Sequence, residues 1–195
     1  MKKKILLTGG SGFIGRNILE SFLAEKCNIF HPSRQELNLT DYDCVKSYFK
    51  DKTFDVVLHS ATKPGHRNAK DTKDLLSLNT GMFENLIKFK DRYGKFINFG
   101  SGAIYDNSKN IADVTEENIF QNVACDEHGL CKYVVAEKIE GLENFVDLNI
   151  FGIFGKYEDW QIRFISNAVC KTLFNLPITL RQNRKFSYLY IDDLM

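Results

Sequence analysis

The sequence predicts an α/β domain built on a doubly wound parallel sheet. Three observations carry that expectation: a glycine-rich turn directly behind the first apolar run, short apolar runs alternating with stretches of helical periodicity, and a near-neutral composition with 44% hydrophobic and 26% charged residues. Alternating βα units place helices on both faces of a parallel sheet, so its strands read as nearly continuous apolar runs.

The first such run is Ile5-Leu6-Leu7, and the turn behind it is Thr8-Gly-Gly-Ser-Gly-Phe-Ile-Gly15. Gly9 permits a tight turn at the strand end, Gly12 lets backbone approach a ligand closely, and Gly15 allows the following helix to pack close. Ile18, Leu19, Phe22 and Leu23 continue at helical spacing, so strand, glycine turn and amphipathic helix occur in the order a dinucleotide site requires. The amides freed at that helix start, around Phe13 and Ile14, then face a pyrophosphate. Met1-Lys-Lys-Lys-Ile-Leu-Leu imitates a secretory leader, but Gly9 and Gly10 interrupt its apolar run too early for one.

Further β-like runs lie at Asn28–His31, Val56–His59, Phe96–Phe99 and Phe145–Ile150. Between them, helical periodicity covers Asp41–Asp51, Asp74–Tyr93 and Glu127–Glu140, with Asp41 placed as an N-cap. After Gly155 the pattern changes to a helix through Gln161–Leu173, two extended pieces around Ile178–Leu180 and Phe186–Tyr190, and a helix start at Ile191. This divides the chain into residues 1–155, a dinucleotide-binding Rossmann domain, and residues 156–195, expected to be an incomplete C-terminal substrate lobe.

The 195 residues suffice for one well-buried core. A net charge of +1 with interspersed signs offers no field for a nucleic-acid backbone, and no apolar run approaches membrane-spanning length. Small-molecule partners are expected instead. Five dispersed cysteines without a Cys-x-x-Cys pair give no disulfide framework and no zinc site, which fits a reducing cytoplasm.

Four further segments, His59-Ser-Ala-Thr62, Phe99-Gly-Ser-Gly-Ala-Ile-Tyr105, His128-Gly-Leu-Cys-Lys132 and Phe186-Ser-Tyr-Leu-Tyr-Ile-Asp-Asp193, follow in order. With the glycine turn they resemble the extended short-chain dehydrogenase/reductase family, in particular its NAD(P)-dependent nucleotide-sugar epimerases, dehydratases and 4-keto reductases. The resemblance implies hydride transfer at a carbon of a nucleotide-sugar substrate, and in this family subunits often pair as a homodimer through two helices. It implies that Ser60, Ala61 and Thr62 pass the nicotinamide riboside, that Asn79 braces the same strand end on the cofactor side, and that Ile150 and Phe151 pass the carboxamide. Ser101 would hold the substrate oxygen. Arg163 and Asn167 are candidates for the substrate's diphosphate.

The family's catalytic pair is a tyrosine and a lysine four positions later, on one helix face. Here the lysine is Lys132, but the earlier position holds His128. Tyr133 points about 100° away around the helix and does not replace the missing phenol. An imidazole transfers protons at an unperturbed pKa of about 6.5, yet it stops roughly 2 Å short of a phenol oxygen, and a misplacement of about 1 Å costs on the order of a hundredfold in rate. Two readings stand side by side: an active enzyme working through Ser101, His128 and Lys132, and an NADP-binding protein with little or no turnover.

An acid at the end of the second strand favours NAD, and an arginine favours NADP. Ile29-Phe-His-Pro-Ser-Arg34 ends in Ser33 and Arg34, so NADP is expected, with NAD the alternative. Asp41, in Glu36-Leu-Asn-Leu-Thr-Asp41, resembles the family's aspartate beside the adenine and also suits the helix cap.

Overall fold

The computed structural model describes residues 1–65, 69, 73–106, 108, 111, 113–180 and 185–195. A five-stranded parallel sheet is formed by β1 (Lys4–Thr8), β2 (Asn28–Phe30), β3 (Phe54–His59), β4 (Tyr93–Phe99) and β5 (Phe145–Leu148), in the order β2-β1-β3-β4-β5. The order reverses between β1 and β3. Loops leaving these two neighbours diverge to opposite faces there, opening a crevice at the carboxyl ends of the strands.

Alternation along β1 shows why both faces are apolar. Leu6 points into a cluster with Val57, Phe96, Val45, Phe49, Phe83, Leu86, Val135 and Ile139. The last six lie on α3 (Tyr42–Phe49), α4 (Leu75–Ile87) and α5 (Glu127–Glu140), which cover that face. Ile5 and Leu7 point the other way, to Ile18, Leu58 and Phe99, with Leu194 and Met195 packed alongside. Ile18 belongs to α1 (Phe13–Glu20). The first face is rich in rings: Phe96 stacks on Phe145 at 5.0 Å, and Phe49 stacks on Phe89 at 5.4 Å.

Local chemistry sets the element ends where periodicity alone misplaces them. The first helix breaks at Ser21, whose hydroxyl bonds Ile18 O and accepts from Leu23 N, so a separate α2 (Phe22–Lys26) begins. Periodicity runs through Tyr93, but α4 stops at Ile87; the Tyr93 hydroxyl donates to Leu86 O, which also accepts from Phe89 N, while the Tyr93 backbone opens β4 opposite Phe54. The expected helix from Gln161 starts later, as α6 (Phe164–Leu173), because Asp159 Oδ1 holds Gln161 N in a local turn. Asp41 caps α3 through Asp43 N and Cys44 N.

Beyond Leu148 the chain leaves the sheet, and Gly102 N donates to Ile150 O. Residues Gly152–Phe154 form β6, paired in parallel with β7 (Tyr188–Tyr190). The extended piece expected around Ile178–Leu180 is not a strand, and both side chains are exposed. In place of a helix start at Ile191 there is a short 3-10 turn over Ile191–Leu194.

Phe96 is fully buried among Phe83, Tyr93, Phe145 and the His59 ring. Replacing it by alanine is expected to lower stability by about 3–5 kcal/mol, read as a fall in the urea midpoint with an unchanged slope.

Candidate active site

The crevice at the β1/β3 reversal is a cleft of about 1740 Å³. It exceeds the roughly 300–1,000 Å³ of a single small-molecule pocket, leaving space for a cofactor and a second ligand together.

Its floor is the glycine turn. Gly9 has φ +73°, and a side-chain carbon there would sit 2.7 Å from Ala61 N; one at Gly15 would sit 2.2 Å from Gly9 O. Both positions therefore demand glycine for the turn to lie against β3 and for α1 to begin against the turn. Gly12 is the N-cap of α1 and brings no capping side chain to the helix start. The amides of that first turn, beside Phe13 and Ile14 on the cleft wall, suit an anion.

The strand ends beside the turn are locked by Thr8. Its hydroxyl bonds His59 Nδ1 at 2.8 Å and accepts from Ala61 N at 3.3 Å, while Thr8 O accepts from Ser60 N. His59 is buried, and desolvation, assisted by the Lys132 charge, pushes its pKa down to about 3. Asn79 of α4 grips the next step: its Oδ1 accepts from Lys63 N and Thr62 Oγ1, and its Nδ2 donates to Lys63 O. It thus braces the chain just after Ser60-Ala-Thr62, through the Lys63 backbone and the Thr62 hydroxyl.

Ser101 follows β4 and caps a short 3-10 turn by accepting from Ala103 N. The start of α5 packs on that turn closely enough that a side-chain carbon at Gly129 would lie 2.5 Å from Ala103 O. This approach brings Ser101, His128 and Lys132 to one wall of the cleft. Lys132 Nζ donates to Phe99 O at 3.1 Å, and burial lowers its pKa while the Asp147 carboxylate opposes that. His128 is exposed at the rim. Tyr133 packs edge-on against Phe120 at 5.3 Å, on another side of the helix.

Ser33 and Arg34 line the far end of the cleft, both exposed. The absence of an acid at the β2 end holds for residues 29–34 only, because Glu36 folds back and its Oε2 accepts from Ser33 N at 2.8 Å. That bond holds the Glu36 carboxyl below its usual range. The three-residue spacing Ser33…Glu36 is a capping-box pattern, readable in sequence. Ile150, Phe151 and Arg163 also line the cleft. Asp41 and Asn167 are not among the described residues that line it; Asp41 is engaged as the α3 cap, and Asn167 Nδ2 donates to Trp160 O.

Sequence reasoning missed the fastening of the Phe151 wall to α1. Glu20 takes Lys156 Nζ at 2.6 Å and the Tyr157 hydroxyl at 2.5 Å, Asn17 Nδ2 donates to Lys156 O, and the Arg16 guanidinium stacks 3.4 Å over the Tyr157 ring. No sequence signal links residues about 140 positions apart. It also missed the buried Asn98–Asp147 pair at 2.6 Å, although a polar residue within each of two apolar strands was visible.

Sheet order, glycine turn and converging wall define a Rossmann-type α/β domain. The chain belongs to the NAD dependent epimerase/dehydratase family, whose sequence model matches residues 5–195. It is 27% identical over 184 residues to a GDP-L-colitose synthase of Yersinia pseudotuberculosis, covering 86% of this chain and 59% of that protein. It is 32% identical over 107 residues to a GDP-L-fucose synthase of Azorhizobium caulinodans, covering 53% of this chain and 34% of that one. The chain thus spans between about a third and three fifths of the length of these relatives. Among solved structures, a GDP-6-OMe-4-keto-L-xylo-heptose reductase from Campylobacter jejuni matches with TM-score 0.72 at 26% identity, over 82% of this chain and 49% of that one. A GDP-D-glycero-L-gluco-heptose synthase from the same organism, solved in the presence of NADPH, superposes with TM-score 0.81 over 99% of this chain and 72% of its own, at 20% identity, which speaks for the fold. No helix among the described residues is long and apolar enough to cross a membrane.

His59 yields a pH prediction. Its folded pKa of about 3 lies below the unfolded value of about 6.5, so the unfolded state binds a proton first on acidification. The stability conferred by a neutral His59 is complete above about pH 6.5 and is lost as pH falls toward about 3, at up to roughly 1.4 kcal/mol per unit. Urea midpoints measured across this range should fall less steeply in His59→Gln than in the parent chain.

Proposed function

We propose that this protein is an NADP-dependent nucleotide-sugar oxidoreductase of the epimerase, dehydratase or 4-keto reductase type, with GDP-sugars as the substrate class. One observation carries the reading: the uncapped helix start behind the glycine turn, Ser101 and Lys132 converge on one cleft at the carboxyl ends of a parallel sheet. The names of the relatives support the GDP-sugar class, and the neighbour solved with NADPH supports the cofactor.

The cradle fits a dinucleotide. Its first-turn amides at Phe13 and Ile14 would take the pyrophosphate, Ser33 and Arg34 the 2′-phosphate end, and Ser60–Thr62 with Ile150 and Phe151 the nicotinamide half. A bound nicotinamide supplies hydride exchange with a sugar carbon. Lys132 would donate to the ribose hydroxyls, and Ser101 would hold the sugar oxygen that changes between alcohol and ketone. His128 would move the proton of that oxygen through a bridging water, since its ring ends short of the family's phenol. Residues 156–195 would begin the substrate lobe, with Arg163 at the diphosphate. Pairing through α4 and α5 as a homodimer and a cytoplasmic location complete the proposal.

A second reading, cofactor binding with little turnover, is favoured by one residue: histidine where the family has tyrosine. NADPH fluorescence titration combined with product analysis on a panel of nucleotide sugars separates the two. NADPH binding with product from a GDP-sugar supports the enzyme; binding without product from any sugar supports the second reading; no binding refutes both.

Arg34→Ala should weaken NADPH binding by about tenfold or more through loss of a charged contact, with NADH binding little changed. Equal losses for the two cofactors would remove the case for NADP. His128→Tyr should raise kcat on the order of a hundredfold by restoring reach; a flat or lower kcat in single-substrate assays would count against the positional argument.

A further inference from the structure

We propose that the buried carboxylate of Asp147, clamped by Asn98 in the wall between β4 and β5, is the charge partner that keeps Lys132 an ammonium. Asn98 and Asp147 are direct neighbours in the parallel β4/β5 register. Asn98 Nδ2 donates to Asp147 Oδ1 at 2.6 Å, and Oδ2 is buried with no partner. The carboxylate occupies the space that a side chain at residue 100 would need: a carbon on Gly100 would meet Oδ1 at 2.4 Å. It is thus tucked under the end of β4, beside Phe99, whose carbonyl receives Lys132 Nζ.

The hydrogen-bond inventory points the same way. An ammonium has three protons, and Lys132 directs one to Phe99 O. Asn149, just past the end of β5, also carries a buried acceptor without a partner among the described residues, Oδ1. Lys132 thus has protons beyond the one given to Phe99 O, and Asp147 Oδ2, beneath the end of β4, is an acceptor not yet engaged; ordered water is the usual link between such groups.

The charges are mutually dependent. Burial alone drives Lys132 toward the neutral amine and Asp147 toward the neutral acid, and each charge opposes the loss of the other. Among the described residues, the other titratable groups close to Lys132 are His59 at the end of β3, held neutral, Cys131 beside it on α5, its thiol pushed up by burial, and His128 one turn back. None is an anion near neutral pH, so Asp147 supplies the compensating charge. Asp147 is a positioning residue: it acts through Lys132. Its value to catalysis rests on the cofactor reading above, because a charged Lys132 offers a ribose one more donor, and a stronger one, than the neutral amine; its effect on the lysine does not.

The test is an NMR pH titration of cofactor-free protein labelled with 13Cε-lysine, in which the Lys132 resonance is identified as the one lost in Lys132→Arg. Asp147→Asn should move the Lys132 midpoint down by about one pH unit or more. Gly100→Ala, which displaces the carboxylate without removing it, should move it in the same direction and decides the matter if Asp147→Asn does not fold. A midpoint unchanged in the folded variants overturns the proposal, whereas a purely structural role for Asp147 would lower stability without moving it. Failure of the parent chain to bind NADPH would refute the cofactor reading and leave this titration standing.

Discussion

The close approach of the glycine turn to the end of β3 is the constraint on which the rest of the site depends. With Gly9 pressed against the Ala61 backbone, β1 and β3 end side by side and their continuing chains part. That parting makes the cleft, sets α1 at its floor and fixes where the loop after β3 must run. The Thr8 hydroxyl, shared between His59 and Ala61 N, holds the two strand ends in register at the point of divergence. Any side chain at residue 9 would force them apart and remove both the floor and the wall in one step.

Polar groups behind the cleft obey a second constraint, that a buried charge or donor needs a partner. His59 meets it by staying neutral and sharing its ring nitrogen with Thr8. Asn79 meets it by closing on both backbone groups of Lys63. Lys132 and Asp147 meet it incompletely among the described residues, since Asp147 Oδ2 is left without a partner. Structural satisfaction is therefore tight around the glycine turn and loosens toward the end of β4.

The framework was legible because it rests on local signals. Three apolar residues before a glycine turn define β1, and Asp41 before an amphipathic stretch defines the start of α3. The end of α4 was not legible, since it depends on a hydroxyl at Tyr93 reaching back to Leu86 O, and periodicity carries no record of that bond. Ser101, His128 and Lys132 were placed on one wall by motif spacing, and the packing of Gly129 on Ala103 is what realises it. The Ser33–Glu36 turn is written in a Ser-x-x-Glu pattern two residues past Arg34, and its bond brings an acid back to the β2 end. The Asn98–Asp147 pair and the Glu20–Lys156–Tyr157 cluster join distant segments, and one sequence without its relatives contains no information about such partners.

The cluster on Glu20 makes α1 and the 156–157 loop a single strut. Asn17 holds the loop at the Lys156 carbonyl, Glu20 at the Lys156 ammonium and the Tyr157 hydroxyl, and Arg16 at the Tyr157 ring. Phe151 and β6 lie just upstream of that loop, so the floor and the opposite jaw of the crevice are geared together across the mouth. The two halves of the crevice are thereby joined through contacts that involve neither β4 nor α5.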